Sequence, residues 1–234
     1  MNLVLFEASE IGQPLPLADP RANHILRVLR RGEGGVFDAG VVDGPRGKAT
    51  VVSVGGGHLA FTFEGTAEPP PADAIDLVVA LPRPQTARKI LNEAASLGVA
   101  RIRFFRSEKG EPGYASSTLW SSGEWRRHLV EGAAQAFDTR LPGVAHDASL
   151  EESIAGLPDS GSRIALDNYE AARRLVPEGV TLPVALAFGP ERGWSARERE
   201  LLRSRGFSLA HLGSRVLRTE TAVVAAVAIA KARS

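Results

Sequence analysis

Apolar positions along the chain follow two different patterns, and the change falls near residue 70. Before it, the runs are short and strand-like: Gly35–Ala39, Ala49–Val54 and His58–Glu64, divided by turn residues at Asp43-Gly44 and Gly55-Gly56-Gly57. One helix is predicted among them. Asp19 can cap it, Pro20 suits its first position, and Gly32 can end it. Ala22, Ile25, Leu26 and Leu29 recur at helical spacing and form its buried stripe. Arg27, Arg30 and Arg31, with Asn23 and His24, fall mostly on the other faces. This part reads as a small β-barrel carrying one helix.

The pattern breaks at Thr66-Ala67-Glu68-Pro69-Pro70-Pro71-Ala72-Asp73, where three prolines favour an extended connector. Beyond it, strands and helices alternate. Strands are predicted at Ile75–Leu81, Ala100–Phe105, Arg163–Asp167, Pro183–Phe188 and about Ser208–Leu212. Helices are predicted at Gln85–Leu97, ended by Gly98, and at Glu124–Phe137. A third opens at the capping box Ser195-Ala196-Arg197-Glu198 and ends at Gly206, and a last one starts near Thr219. Continuous apolar strands between amphipathic helices imply an α/β fold, a parallel sheet covered on both faces.

Composition narrows this picture mainly by exclusion. The 234 residues, 44% hydrophobic and 24% charged, are those of a globular protein of one large or two unequal domains. No cysteine is present, which rules out disulfides, thiolate zinc sites and a thiol nucleophile, and suits a cytoplasmic protein. The start Met1-Asn2-Leu3-Val4-Leu5-Phe6 lacks the pattern of a signal peptide, and the longest apolar run, Ala222–Ala230, is too short to span a membrane. A net charge of +1 gives no composition-level footprint of nucleic-acid binding. His24, His58, His128, His146 and His211 show no metal-ligand spacing.

Two segments could carry chemistry. Phe188-Gly189-Pro190-Glu191-Arg192-Gly193-Trp194-Ser195 lies between a buried strand and a capped helix. It is either a ligand loop at a strand's carboxyl end or simply a tight turn with a good cap. Leu212-Gly213-Ser214-Arg215-Val216-Leu217-Arg218-Thr219-Glu220-Thr221 precedes an almost wholly apolar helix. Its arginines and hydroxyls suit an anion or a ribose, or else only cap the helix. P-loop, Rossmann and nucleophile-elbow motifs are absent.

In order and spacing, Gly189-Pro190-Glu191-Arg192-Gly193 followed by Leu212–Ala222 resembles the C-terminal signature of the ribosomal RNA small subunit methyltransferase E family, of the SPOUT superfamily. Ala94–Val99, Ser107-Glu108, Ala133-Ala134-Gln135 and Ala22–Arg30 extend the resemblance over nearly the whole chain. It implies a PUA-like β-barrel RNA-binding domain at 1–68 and a SPOUT methyltransferase domain at 73–234, with a C-terminal trefoil knot at about 163–231. It further implies a cytoplasmic homodimer, acting in ribosome biogenesis, that uses S-adenosyl-L-methionine to methylate N3 of a uridine in 16S ribosomal RNA, free or in the small ribosomal subunit.

Carried over residue by residue, the resemblance assigns the cofactor to Leu166, Gly189, Pro190, Glu191, Gly193, Leu212, Gly213, Leu217, Arg218 and Thr221. Arg218 would favour the uracil anion, and Glu220 would orient Arg218 or relay the proton. Arg21, His24, Arg27, Arg30, Arg31 and Arg192 would meet RNA, largely through phosphates.

Six positions depart from the family pattern. Arg192 stands where a glycine is usual, and would be strained if that residue needs a positive φ. Glu93 replaces a lysine, Ser96 a glutamate, Lys109-Gly110 an arginine-serine pair, and Asp138 an arginine. The charge changes at 93 and 138 keep open a different target nucleotide or a transfer RNA, and Arg192 keeps open a non-catalytic RNA-binding relative.

Overall fold

The computed structural model describes residues 3–232, so the outermost ends of both expected domain spans lie outside the described residues. The chain divides into two compact units, residues 1–71 with 130–141, and residues 72–129 with 142–234.

The first unit is built on a five-stranded sheet. Its elements are β1 (Val4–Phe6), β2 (Leu15–Pro16), α1 (Pro20–Asn23), β3 (Val36–Val41), β4 (Arg46–Gly55) and β5 (His58–Ala67). The strand order is β1-β3-β4-β5-β2, with β1 parallel to β3 and the remaining pairs antiparallel. Register shifts at Arg46/Gly47 and Val51/Ser53 mark bulges, which bend a strand and raise its twist. Phe6, Ile25, Phe37, Val51, Leu59 and Phe61 fill the core, with the Phe6 and Phe61 rings stacked at 4.5 Å.

Asp19 caps α1 as expected, accepting from the Arg21 backbone N–H at 2.8 Å. The helix end differs from the sequence reading. After Asn23 the chain widens into a π turn over His24–Val28, and Arg30 adopts φ +54°, so the helix stops two residues before Gly32. The wider turn leaves Val28 64% exposed, while Ala22 and Ile25 stay fully buried.

Residues 130–141 pack within this same unit. Leu3 and Leu5 meet fully buried Ala133, with Val130, Phe137 and Leu141 around them. Thr139 Oγ1 donates to the Gly44 carbonyl at 2.6 Å, and the Arg46 guanidinium donates to the Phe137 carbonyl at 3.0 Å.

The second unit contains β6 (Asp73–Ala80), α2 (Pro84–Ser96), β7 (Val99–Arg106), α3 (Thr118–Ser121) and α4 (Glu124–Gln135). It continues with β8 (Gly143–Ser149), α5 (Leu150–Ala155), β9 (Ser162–Leu166), β10 (Arg173–Arg174), β11 (Val184–Phe188), α6 (Ala196–Ser204), β12 (Ser208–His211) and α7 (Thr219–Lys231). Only the first part of α4 belongs here, since its residues from 130 on belong to the first unit. The sheet runs β10-β12-β9-β11-β6-β7-β8 and every pairing in it is parallel.

β11 is buried at all five positions, the continuous apolar run expected of a strand covered on both faces. α4 stops at Gln135 rather than Phe137, because Phe137 turns into the left-handed region at φ +62°. β8, α5 and β10 have no counterpart among the predicted elements. β8 is an edge strand with mostly exposed side chains, so its apolar signal is weak. Among the described residues no helix is long and apolar enough to cross a membrane.

Candidate active site

The parallel registers set the strand ends level with one another. Phe188 pairs with Leu166 and with Val79, and Ala210 pairs with Leu166. The loops after β12, β9, β11 and β6 therefore leave one edge of the sheet side by side, where an open α/β sheet binds ligands.

The loop after β11 is fixed by five interactions. The Gly193 N–H donates to the Pro190 carbonyl at 2.8 Å, closing a tight turn. Buried Trp194 lies parallel to Phe105, with ring centroids 5.8 Å apart, and its indole N–H donates to the Leu166 carbonyl at 2.9 Å. Ser195 and Glu198 form the predicted capping box at 2.8 and 3.0 Å. Lys109, at one of the departures from the family pattern, donates to the Trp194 carbonyl at 2.9 Å.

Space for a side chain is tight at two glycines here. A Cβ on Gly189 would sit 3.0 Å from the Trp194 ring, and one on Gly193 would sit 2.9 Å from the Tyr169 ring. Gly193 also has φ +70°, whereas Arg192 lies outside the left-handed region. The residue that needs glycine is thus the second of the pair, and Arg192 is accommodated without strain.

These loops enclose a cavity of about 290 Å³. Leu166, Gly189, Pro190, Glu191, Gly193, Leu212, Leu217 and Arg218 all line it, as expected from the sequence. Gly213 and Thr221 do not belong to its lining. Sequence reasoning missed Asp167, Tyr169, Trp194 and Thr219, which also line it. Asp167 and Tyr169 follow β9 directly, so strand-end position was the available signal.

Burial alone would push the Asp167 carboxyl up. The Arg199 guanidinium at 2.5 Å and the Tyr169 N–H at 2.7 Å outweigh it and hold the group below its ordinary value.

A second cavity of about 310 Å³ adjoins the first and shares Glu191, Arg218 and Thr219 with it. Its other walls are Arg83, Gln85, Thr86, Lys89 and Glu220. Arg218, the residue preceding α7, accepts from the Ala222 N–H through its carbonyl at 2.9 Å, while its exposed side chain has no hydrogen bond or ion pair among the described residues and the residue lines both cavities.

Glu220 does not orient Arg218 through a hydrogen bond. Its carboxylate accepts from Lys89 at 3.2 Å instead. Burial pushes Glu220 up, but the backbone and Lys89 hydrogen bonds bring it below its ordinary value. Glu191 pairs with Arg83 at 3.5 Å.

The residues expected to meet RNA divide. Arg27, Arg30, Arg31 and Arg192 are exposed. Arg21 is engaged inside the protein: it bonds both Glu10 and Asp19, and its guanidinium lies 5.1 Å from the Phe6 ring centroid. Glu10 and Asp19 are both held below their ordinary values, chiefly by those Arg21 bonds. His24 keeps Nε2 buried without a partner, so that nitrogen is withheld from an outside ligand. Asp138, another departure, accepts from the Thr139 and Arg140 backbone N–H groups and serves as a turn residue. Nothing in the structure explains Glu93.

Comparison with known proteins agrees with this arrangement. A model of the RNA methyltransferase domain matches residues 68–231. Ribosomal RNA small subunit methyltransferase E of Treponema pallidum is 34% identical, over 100% of this chain and 92% of its own length. Ribosomal RNA small subunit methyltransferase E 1 of Borreliella burgdorferi is 28% identical, over 97% and 95%. The solved small subunit methyltransferase E of Neisseria gonorrhoeae, bound to S-adenosyl methionine, shares the fold with a TM-score of 0.77 at 23% identity, over 97% of this chain and 95% of that one. With a glycine-lined cavity formed at the strand ends and a family match over most of its length, the chain belongs to the ribosomal RNA small subunit methyltransferase E family.

Proposed function

We propose that this protein transfers the methyl group of S-adenosyl-L-methionine to N3 of a uridine in 16S ribosomal RNA. The observation that carries the reading is the position of Arg218 on the wall shared by two adjoining cavities. One suits the donor and the other is left for the acceptor.

The first cavity fits the cofactor in chemistry. Leu166, Phe188, Leu212, Leu217 and Ala222 offer apolar surface to a purine, and Gly189 and Gly193 keep the cradle free of side chains. Leu166, Gly189, Pro190, Glu191 and Gly193 would form one wall and Leu212, Leu217 and Arg218 the other. When bound, the cofactor supplies an activated methyl group, so the protein needs neither a nucleophile nor a metal.

The residues' task is geometric and electrostatic. N3 of uracil must give its proton to solvent before it attacks the methyl carbon, and the resulting charge spreads onto the two keto oxygens. The Arg218 guanidinium, a donor in every direction it can point, favours that anion. Holding the acceptor on the far side of the shared wall aligns it with the methyl group.

In the same reading the first unit serves as a PUA-like RNA-binding barrel with Arg27, Arg30 and Arg31 as phosphate contacts, and Arg192 in the second unit is a further one. Support for the trefoil knot comes from strand order: β12, late in the chain, lies between β9 and β10, which are consecutive in sequence. A C-terminal segment threaded through the loop between them would lie there. The functional protein is a cytoplasmic homodimer joined through this region.

The test is transfer of radiolabel from S-adenosylmethionine to unmodified small ribosomal subunits, followed by nucleoside analysis. Label in 3-methyluridine is expected. Label in another nucleoside would move the target, and cofactor binding with no transfer to any ribosomal RNA would argue for a non-catalytic relative.

A further inference from the structure

We infer that the second cavity is the pocket for the extruded acceptor nucleotide, with Gln85 reading the base edge and Arg83 and Lys89 holding its phosphate. The inference rests on the methyltransferase reading above and names the residues that would give it substrate selectivity.

The two cavities differ in kind. The first is walled largely by apolar side chains, whereas every residue lining the second is polar or charged: Arg83, Gln85, Thr86, Lys89, Glu191, Arg218, Thr219 and Glu220. Three cations and an amide suit a ligand that joins a polar heterocycle to a phosphate. A volume of about 310 Å³ is in the range of small-molecule sites. A base must leave its stack to reach a methyl donor held inside a protein, and a polar pocket compensates for that unstacking.

Placement separates the roles. Glu191, Arg218 and Thr219 form the shared wall, so the reacting N3 faces them. Gln85, exposed in the first turn of α2, offers an amide that both donates and accepts, the chemistry needed to read a pyrimidine edge. Arg83 and Lys89 flank it and are each paired loosely with a carboxylate, Glu191 at 3.5 Å and Glu220 at 3.2 Å. These pairs hold two mobile side chains at the rim while leaving donors free for phosphate. Glu220 is thus a positioning residue for Lys89.

The experiment uses the full chain and RNA spanning the target, with 4-thiouridine at the target position and at neighbouring positions. Cross-linked peptides are mapped. Transfer kinetics and cofactor affinity are measured for wild type, Gln85→Ala, Lys89→Ala and Lys89→Arg. Gln85 and Lys89 are exposed, so these changes remove no buried packing.

Cross-links from the target uridine are expected within residues 83–89. Either alanine variant should lose roughly tenfold in kcat/KM for RNA, the scale of one lost base or phosphate contact, with cofactor Kd unchanged within about twofold. Lys89→Arg should recover most of the loss. The inference is overturned if the target cross-links elsewhere, if both alanine variants transfer methyl like wild type, or if their losses are matched by equal losses in cofactor affinity. Cross-linking at 83–89 by a wild-type protein that methylates a different nucleoside would keep the pocket and discard the uridine-N3 reading.

Discussion

Gly193 is constrained twice, by a φ of +70° and by the Tyr169 ring in the space a Cβ would take. Gly193→Ala should therefore lose about 1–2 kcal/mol from backbone strain alone and push Tyr169 across the cofactor cavity. Calorimetry is expected to show weaker S-adenosylmethionine binding together with a lower Tm; unchanged binding would mean that Tyr169 yields freely. Arg218→Ala should leave Tm nearly intact and cut transfer at saturating cofactor by about 10²–10³-fold, the scale of one lost donor to a developing charge. Full activity in that variant would remove Arg218 from the mechanism. At this scale, the sequence exposed residues with a local signature: the glycines of 189–193, Leu217 and Arg218 all line the cavity. Asp167, Tyr169 and Trp194 carry no such signature, because they reach the site through the register of β9 against β11 and through an indole bond to the Leu166 carbonyl.

Elements were most legible where periodicity and punctuation agreed. α2 and α6 begin and end within a residue or two of the predicted bounds, since Gly98 and Gly206 both take positive φ just beyond them. α1 was overestimated because no spacing rule anticipates a π turn, and β8 went unseen because an exposed edge strand has little apolar contrast. α4 makes a prediction of its own. The Arg88 and His128 hydrogen bonds hold the Glu124 carboxyl at about 2 instead of its ordinary 4.5. Because the folded value is the lower one, the contribution is complete above about pH 4.5 and disappears as pH falls toward 2. Glu124→Gln should flatten that acid limb, which thermal melts at pH 3 and pH 6 would reveal; parallel curves for the two proteins would assign the acid loss to other groups.

For the molecule as a whole, the proline boundary near residue 70 was readable but the return of residues 130–141 to the first unit was not. Hydrophobic periodicity marks α4 as one helix and says nothing about which core each of its turns joins. A fragment of residues 72–234 would leave Ala133 and Phe137 without Leu3 and Leu5. It should melt below the full chain or aggregate, as light scattering during a thermal ramp would show; an unchanged unfolding transition would mean that segment needs no cover.

The same discontinuity bears on synthesis. The first unit lacks part of its own core until about 70 further residues after Pro71 have been added, up to Leu141. At about 5–20 residues per second the nascent first unit waits roughly 4–14 s with Leu3 and Leu5 uncovered. The strands of the first unit are thus translated before the second unit without being able to close first, and that interval is when a chaperone would find them.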